Sequence, residues 1–185
     1  LDVYKLHGIR TLYRGTLRRP GYSQAWDAFI QLGATDDTYQ MEGVDKMTHR
    51  QFINSFLSYD PHNSIELKLA HYLKLDLDGT VMHKFNWLGM FDDELVGLNK
   101  GTPAQILEHI LKKKWAMQPD DKDQIVMYHK FEFKEGEMHR ELQSYMVLTG
   151  ENAEQTAMSQ TVGLPLGIAA KLMLQGKLHL PGVQI

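Results

Sequence analysis

The residues best suited to chemistry are four arginines at positions 10, 14, 18 and 19. A guanidinium grips a carboxylate through two parallel hydrogen bonds, so an arginine cluster suits a ligand that carries several carboxylates. Arg10, Arg14 and Arg18 fall on one side of the chain if the backbone is extended there. A solvated strand face, or salt bridges to Asp and Glu, would explain the same pattern. Gly15–Thr16 and Pro20–Gly21 bracket the cluster. They read either as backbone N–H groups turned toward an anion or as ordinary structural glycines. A second unusual stretch is Thr161, Val162, Gly163, Leu164 and Pro165. Small residues before a helix proline let a ligand or another backbone come close, or they pack a kink. His129 sits mid-strand on an apolar face, and reads as a core or half-buried histidine in preference to a catalytic base. It would face His139 across a hairpin, but two histidines without a third ligand make a weak metal site. Asp76, Asp78 and Gly79 resemble the start of a calcium loop, without the closing Glu, and read as a plain turn.

These groups need elements to hold them. His7 to Thr16 alternates as a strand does, with Gly15 near its end. Pro20–Gly21 marks a turn. A helix follows from a Ser23 cap to about Leu32, stopped by Gly33. Residues 34 to 47 are polar and aperiodic. Thr48 caps a helix with Phe52, Ile53, Phe56 and Leu57 on one face. Asp60, with Pro61 at the first helical position, starts another. Residues 76 to 80 form a break, and 82 to 101 are mixed. Thr102, Pro103 and Gln105 make a capping box for a helix ending near Ala116. Strands are predicted over 124–133 and 138–149, joined by a turn at Gly136. Asn152 is a cap for a last helix over 153–175, interrupted by Pro165, with Ala169, Leu172 and Met173 buried. This order predicts an α+β fold, with a mixed or antiparallel sheet packed by helices. The expected division is 1–35 with 81–185 as the main domain and 36–80 as a small, mostly helical insertion.

The 185 residues are enough for a real core, and the apolar share of 43% is ordinary for a globular protein. A net charge of −3 gives no support to nucleic-acid binding or to an anionic membrane partner. Without cysteine there is no disulfide scaffold and no thiolate nucleophile. That absence fits a reducing compartment. No apolar run approaches the roughly 20 residues that span a bilayer, and no signal peptide is visible. The chain starts at Leu1, and both ends read as cut. No Gly-rich strand-to-helix turn of the dinucleotide-binding kind occurs.

Four segments in order resemble the saccharopine dehydrogenase and reductase family. They are YRGTLRRPGYS at 13–23, NWLGM at 86–90, IVMYHKFEF at 125–133, and TAMSQTVGLPLGIAAK at 156–171, with PGV at 181–183 closing the match. The resemblance spans nearly the whole chain, most weakly over 34–80. It implies the substrate-binding and dimerisation part of an NAD(P)-dependent enzyme of lysine metabolism. Such an enzyme makes or breaks the C–N bond of saccharopine. NAD or NADP would be bound mainly by an N-terminal Rossmann domain in cis, and no cofactor is expected on this chain. The implied partners are a saccharopine-like small molecule and a second copy of the chain. The implied compartment is the cytoplasm, or the mitochondrial matrix for a eukaryotic bifunctional enzyme. Saccharopine carries three carboxylates. The matching motif makes Arg18 the main carboxylate-binding candidate, with Gly15, Thr16, Tyr22 and Arg14 beside it and Thr161 and Gly163 approaching from elsewhere. Arg19 stands where the family usually has an aromatic residue. Family acid–base groups belong largely to the nucleotide-binding part, so no catalytic residue is assigned here.

Overall fold

A computed structural model of the chain describes residues 6–179, 181 and 182. Of the closing PGV motif, Val183 lies outside them. The chain divides into two compact units, Arg18–Ala116, and Leu1–Leu17 with Met117–Ile185.

The Arg18–Ala116 unit is helical. Its helices are α1 (Tyr22–Leu32), α2 (His49–Asn54), α3 (Ile65–Leu73), α4 (Thr80–Trp87) and α5 (Pro103–Trp115), with a short 3-10 turn at Val44–Lys46. Each brings apolar side chains at three- and four-residue spacing to one core. Phe29, Phe52, Phe85, Ile53, Leu69, Met90, Ile106 and Ile110 are essentially fully buried there. Phe29 of α1 stacks on Phe85 of α4 with ring centroids 4.3 Å apart, and Phe91 continues the group. Burying each such side chain contributes about 1.5–3 kcal/mol.

The caps decide where these helices start. Thr102 forms the predicted reciprocal capping box with Gln105, and Thr48, predicted as a cap, forms a second one with Gln51. Two other starts differ from expectation. Gly21, not Ser23, occupies the cap of α1, so that helix begins at Tyr22. Asp60 folds back on the backbone N–H groups of His62 and Asn63 and on the Asn63 side chain. That local turn competes with helix, and α3 starts later, capped by Ser64. Helix α4 falls in the stretch read as break and mixed. Gly79 is its cap, and Asp76 to Gly79 form the predicted turn.

The NWLGM motif and its acidic tail are held by the start of α2. The backbone N–H groups of His49 and Arg50 donate to the carbonyls of Glu94 and Asp92, both at 3.0 Å. Arg50 Nε donates to Phe91 O at 2.7 Å, and His49 Nδ1 lies 2.9 Å from Gly89 O. A carbonyl can only accept, so Nδ1 carries the histidine proton. The buried Nε2 has no partner. Two residues of α2 thus clasp four carbonyls of one loop.

The other unit contains β1 (Gln124–Glu135), β2 (Met138–Thr149) and α6 (Ala157–Leu174). The strands pair antiparallel from Gln124↔Thr149 to Glu135↔Met138, close to the predicted bounds. Gly136 turns the two-residue loop with φ of 62°, which suits a residue without a side chain. The fold class is therefore α+β, with an antiparallel sheet, and α6 packs against β1.

Four expectations fail in this unit. The stretch 9–16 has no strand in the structure, because no neighbouring strand takes up its backbone hydrogen bonds. The hairpin register pairs His129 with Ser144 and His139 with Lys134, so the two histidines do not face each other. Finally, α6 starts at Ala157 with Thr156 as its cap. Asn152 instead holds the preceding turn through the N–H groups of Glu154 and Gln155. Met173 is exposed, and Ala169 and Leu172 are only half-buried. Among the described residues of this unit, only Gly150 and Ala157 are buried.

Candidate functional site

The predicted carboxylate-binding segment runs along residues 10–19 with its side chains exposed. Arg14, Gly15 and Thr16 belong to the hairpin-bearing unit, and Arg18 and Tyr22 to the helical one. Gly15 lies against the side chain of Tyr13, whose hydroxyl a side chain at 15 would meet at 3.1 Å and whose ring at 3.2 Å.

Arg18 and Tyr22 do come together. The guanidinium carbon of Arg18 is 5.6 Å from the centroid of the Tyr22 ring, within cation–π range. Tyr22 stacks on Trp26 at 6.1 Å, and Trp26 meets Trp115 of α5 at 6.2 Å. The spacing explains the stack, since Arg18, Tyr22 and Trp26 are four residues apart and α1 carries the last two on one face. The series leads into a groove of about 620 Å³, lined by Trp26, Ala104, Leu107, Leu111 and Trp115, with Thr35, Glu108 and Lys112 among its polar lining groups. Neither tryptophan was among the candidates. The four-residue spacing behind Arg18 is the signal that points to Trp26. Trp115 needs the fold.

A second concavity of about 400 Å³ involves Glu66, Asp78, His83, Asn86 and Phe91. Its carboxylate Glu66 is committed to Arg50, at 2.7 Å and 3.3 Å. Burial pushes Glu66 up, but hydrogen bonds from Arg50 and its neighbours outweigh that and hold the carboxyl below its usual value. Arg50 is raised in turn, chiefly by its hydrogen bonds to Glu66. A carboxylate locked this way is a brace and not a proton donor. Among the described residues no cluster of three His, Asp or Glu could hold a metal ion.

Thr161 and Gly163 lie in the first turns of α6. The Thr161 hydroxyl donates to Ala157 O at 2.8 Å. Pro165 lies inside the helix and has no N–H for the carbonyl four residues back, which is that of Thr161. The space beside Gly163 is open, with no atom within 4 Å of where a side chain would begin. A carbonyl without its usual donor four residues on, a hydroxyl and an open glycine side lie together on an otherwise apolar helix. By length and composition α6 is also apolar enough to cross a membrane, which amends the expectation that no stretch reaches that length.

The chain matches the family model for the saccharopine dehydrogenase C-terminal domain over residues 1–185. It is similar to "Alpha-aminoadipic semialdehyde synthase, mitochondrial" of Rattus norvegicus, 32% identical over 98% of this chain and 20% of that protein. It is also similar to "Saccharopine dehydrogenase [NADP(+), L-glutamate-forming]" of Schizosaccharomyces pombe and of Saccharomyces cerevisiae, 25% and 26% identical, each over 98% of this chain and 42% of the relative. The chain thus spans from just under a fifth to somewhat under half of the curated relatives it matches.

Proposed function

From the premise that this chain belongs to the saccharopine dehydrogenase C-terminal domain family, we propose that it is the substrate-binding part of an NAD(P)-dependent oxidoreductase acting on the C–N bond of saccharopine. The observation that carries this reading is the match along the whole chain, together with two yeast relatives named as NADP(+), L-glutamate-forming saccharopine dehydrogenases. The physical chemistry agrees. Arg18, docked on Tyr22, offers a rigid cation to a ligand rich in carboxylates, with Arg14, Thr16 and Gly15 on the segment leading into it. Thr161 and Gly163 belong to the other unit, and their part in substrate contact rests in our reading on the resemblance alone.

The cofactor belongs to a nucleotide-binding half present in cis in the complete protein. The sequence has no Gly-rich turn to place a pyrophosphate at a helix N-terminus. Reduction of NAD(P) needs the nicotinamide ring oriented against the substrate carbon. Added cofactor therefore does not restore turnover to this chain alone.

The exposed apolar faces of the hairpin and α6 support a protein partner, in our reading the nucleotide-binding half and a second copy of the chain. Lys171 within α6 and the polar groups at Thr161 fit a protein cover better than lipid. Three mammalian relatives are named mitochondrial, which favours the matrix over the cytoplasm for a eukaryotic bifunctional protein. The segment 36–80, where the resemblance is weakest, remains in our reading an insertion into the family's domain.

The test is an assay of saccharopine-dependent NAD(P)H formation. The purified chain is inactive at any cofactor concentration, and the complete protein is active with saccharopine. Turnover by the chain alone would refute the division of labour. Inactivity of the folded complete protein with NAD and with NADP would refute the substrate.

A further inference from the structure

Asp123 precedes β1 and lies at the open end of the hairpin. Its carbonyl accepts the N–H of Gly150, the first residue after β2, at 2.9 Å. Its carboxylate reaches across to the start of α6. One oxygen accepts the Ala157 N–H at 2.6 Å, and the other accepts the Met158 N–H at 2.9 Å. Thr156 accepts the next N–H, that of Ser159, at 2.9 Å. The first three helical N–H groups, normally left without partners, are all taken, two of them by a residue 34 positions upstream.

The contact leaves no slack. A side-chain carbon at Gly150 would stand 2.3 Å from the Asp123 carboxylate and 2.7 Å from Ala157 N. Only a residue without a side chain lets the three segments close. Gly150 and Ala157 are also the only buried residues of this unit among those described. With so little apolar burial, polar contacts decide where α6 begins. From Ala157 the connection continues, because its carbonyl receives the Thr161 hydroxyl one turn later.

We propose that Asp123 is a positioning residue for the substrate, acting through Gly150 and Ala157 to fix Thr161. Asp123 does not itself meet the ligand. It holds the first turn of α6 to the hairpin base, so that the Thr161 hydroxyl and the carbonyl freed by Pro165 stand where a ligand meets them. This rests on the reading that Thr161 faces saccharopine.

The test uses the complete protein and a mutant cycle of Asp123→Ala, Thr161→Val and the double variant, with saccharopine KM, kcat and unfolding midpoint measured for each. Asp123→Asn is a partial variant that keeps one acceptor oxygen. Asp123→Ala raises the saccharopine KM roughly 5–30-fold, a range that matches loss of a strong helix cap. The NAD(P) KM stays unchanged. Asp123→Asn falls between it and the parent. The double variant is no worse than the more damaging single one, because both remove the same placement. A lowered midpoint with unchanged KM in Asp123→Ala, while Thr161→Val raises KM, makes Asp123 purely structural and overturns the proposal. Multiplying effects in the double variant overturn it too. Unchanged KM in Thr161→Val removes Thr161 from the site and takes the proposal down for that separate reason. If Asp123→Ala does not fold, Asp123→Asn decides on the same KM criterion.

Discussion

Two regions of one chain handle apolar surface in opposite ways. In residues 18–116 the large side chains turn inward and close over one another, with Phe29, Phe52 and Phe85 almost without exposure. In the hairpin and α6 the same residue types, Phe131, Phe133, Leu142, Leu164 and Ile168 among them, face outward. The first region satisfies its own hydrophobic pattern. The second carries a pattern as strong and leaves it open, which in our proposal a protein partner covers. Alternation along a strand therefore tells that one face is to be buried, without telling which molecule does the burying.

The largest expected difference between the regions is in the cost of truncation. Phe85→Ala lowers the stability of the chain by about 3–5 kcal/mol, as deleting a buried aromatic ring does. Phe131→Ala changes it by less than about 0.5 kcal/mol, as exposed substitutions do. Denaturant titration of both variants checks this. Equal losses would mean that the hairpin is as well packed as the helical unit. Next in size is the cap of α5. Thr102→Ala removes the capping box and the hydroxyl's bond to Asp37, and costs about 0.5–2 kcal/mol. Gly136→Ala at the left-handed hairpin turn costs about 1 kcal/mol of hairpin stability, read as faster amide exchange at Phe133 and Arg140.

A pH titration adds a smaller effect confined to the helical unit. Glu66 has a lowered folded-state pKa, because Arg50 favours its ionised form. Its contribution is therefore fully present above the usual Glu range and fades as pH falls through the lowered value. Glu66→Gln flattens that acid limb of the stability curve while leaving neutral pH behaviour near that of Arg50→Met. An unchanged acid limb would show that the pair does not carry it.

Much of the fold was legible because its signals are local. Thr48 as a cap, Thr102 with Gln105, and the alternation at 124–133 each specify an element within a few residues. What failed depends on distant groups. The strand reading of 9–16 is locally sound, but a strand exists only with a neighbour. The cap of α6 was misplaced at Asn152, whose own turn competes locally, while the real start is fixed by Asp123 far upstream. The candidate site was half legible. Arg18 and Tyr22 meet as neighbours four residues apart should, and the groove at Trp26 and Trp115 needed helix packing to appear. The NWLGM motif was recognisable as a family mark, but its fastening by His49 and Arg50 shows only in three dimensions.

The most direct measurement is steady-state kinetics of Arg18→Ala in the complete protein, with saccharopine and cofactor varied in turn. If the substrate and the nucleotide-binding half bury the exposed Arg18 in the complete protein, loss of that charge-assisted carboxylate contact weakens saccharopine use by roughly 2–5 kcal/mol, while the apparent affinity for NAD(P) stays unchanged. Superimposable saccharopine saturation curves for the parent and Arg18→Ala would contradict the assignment of this segment to the substrate.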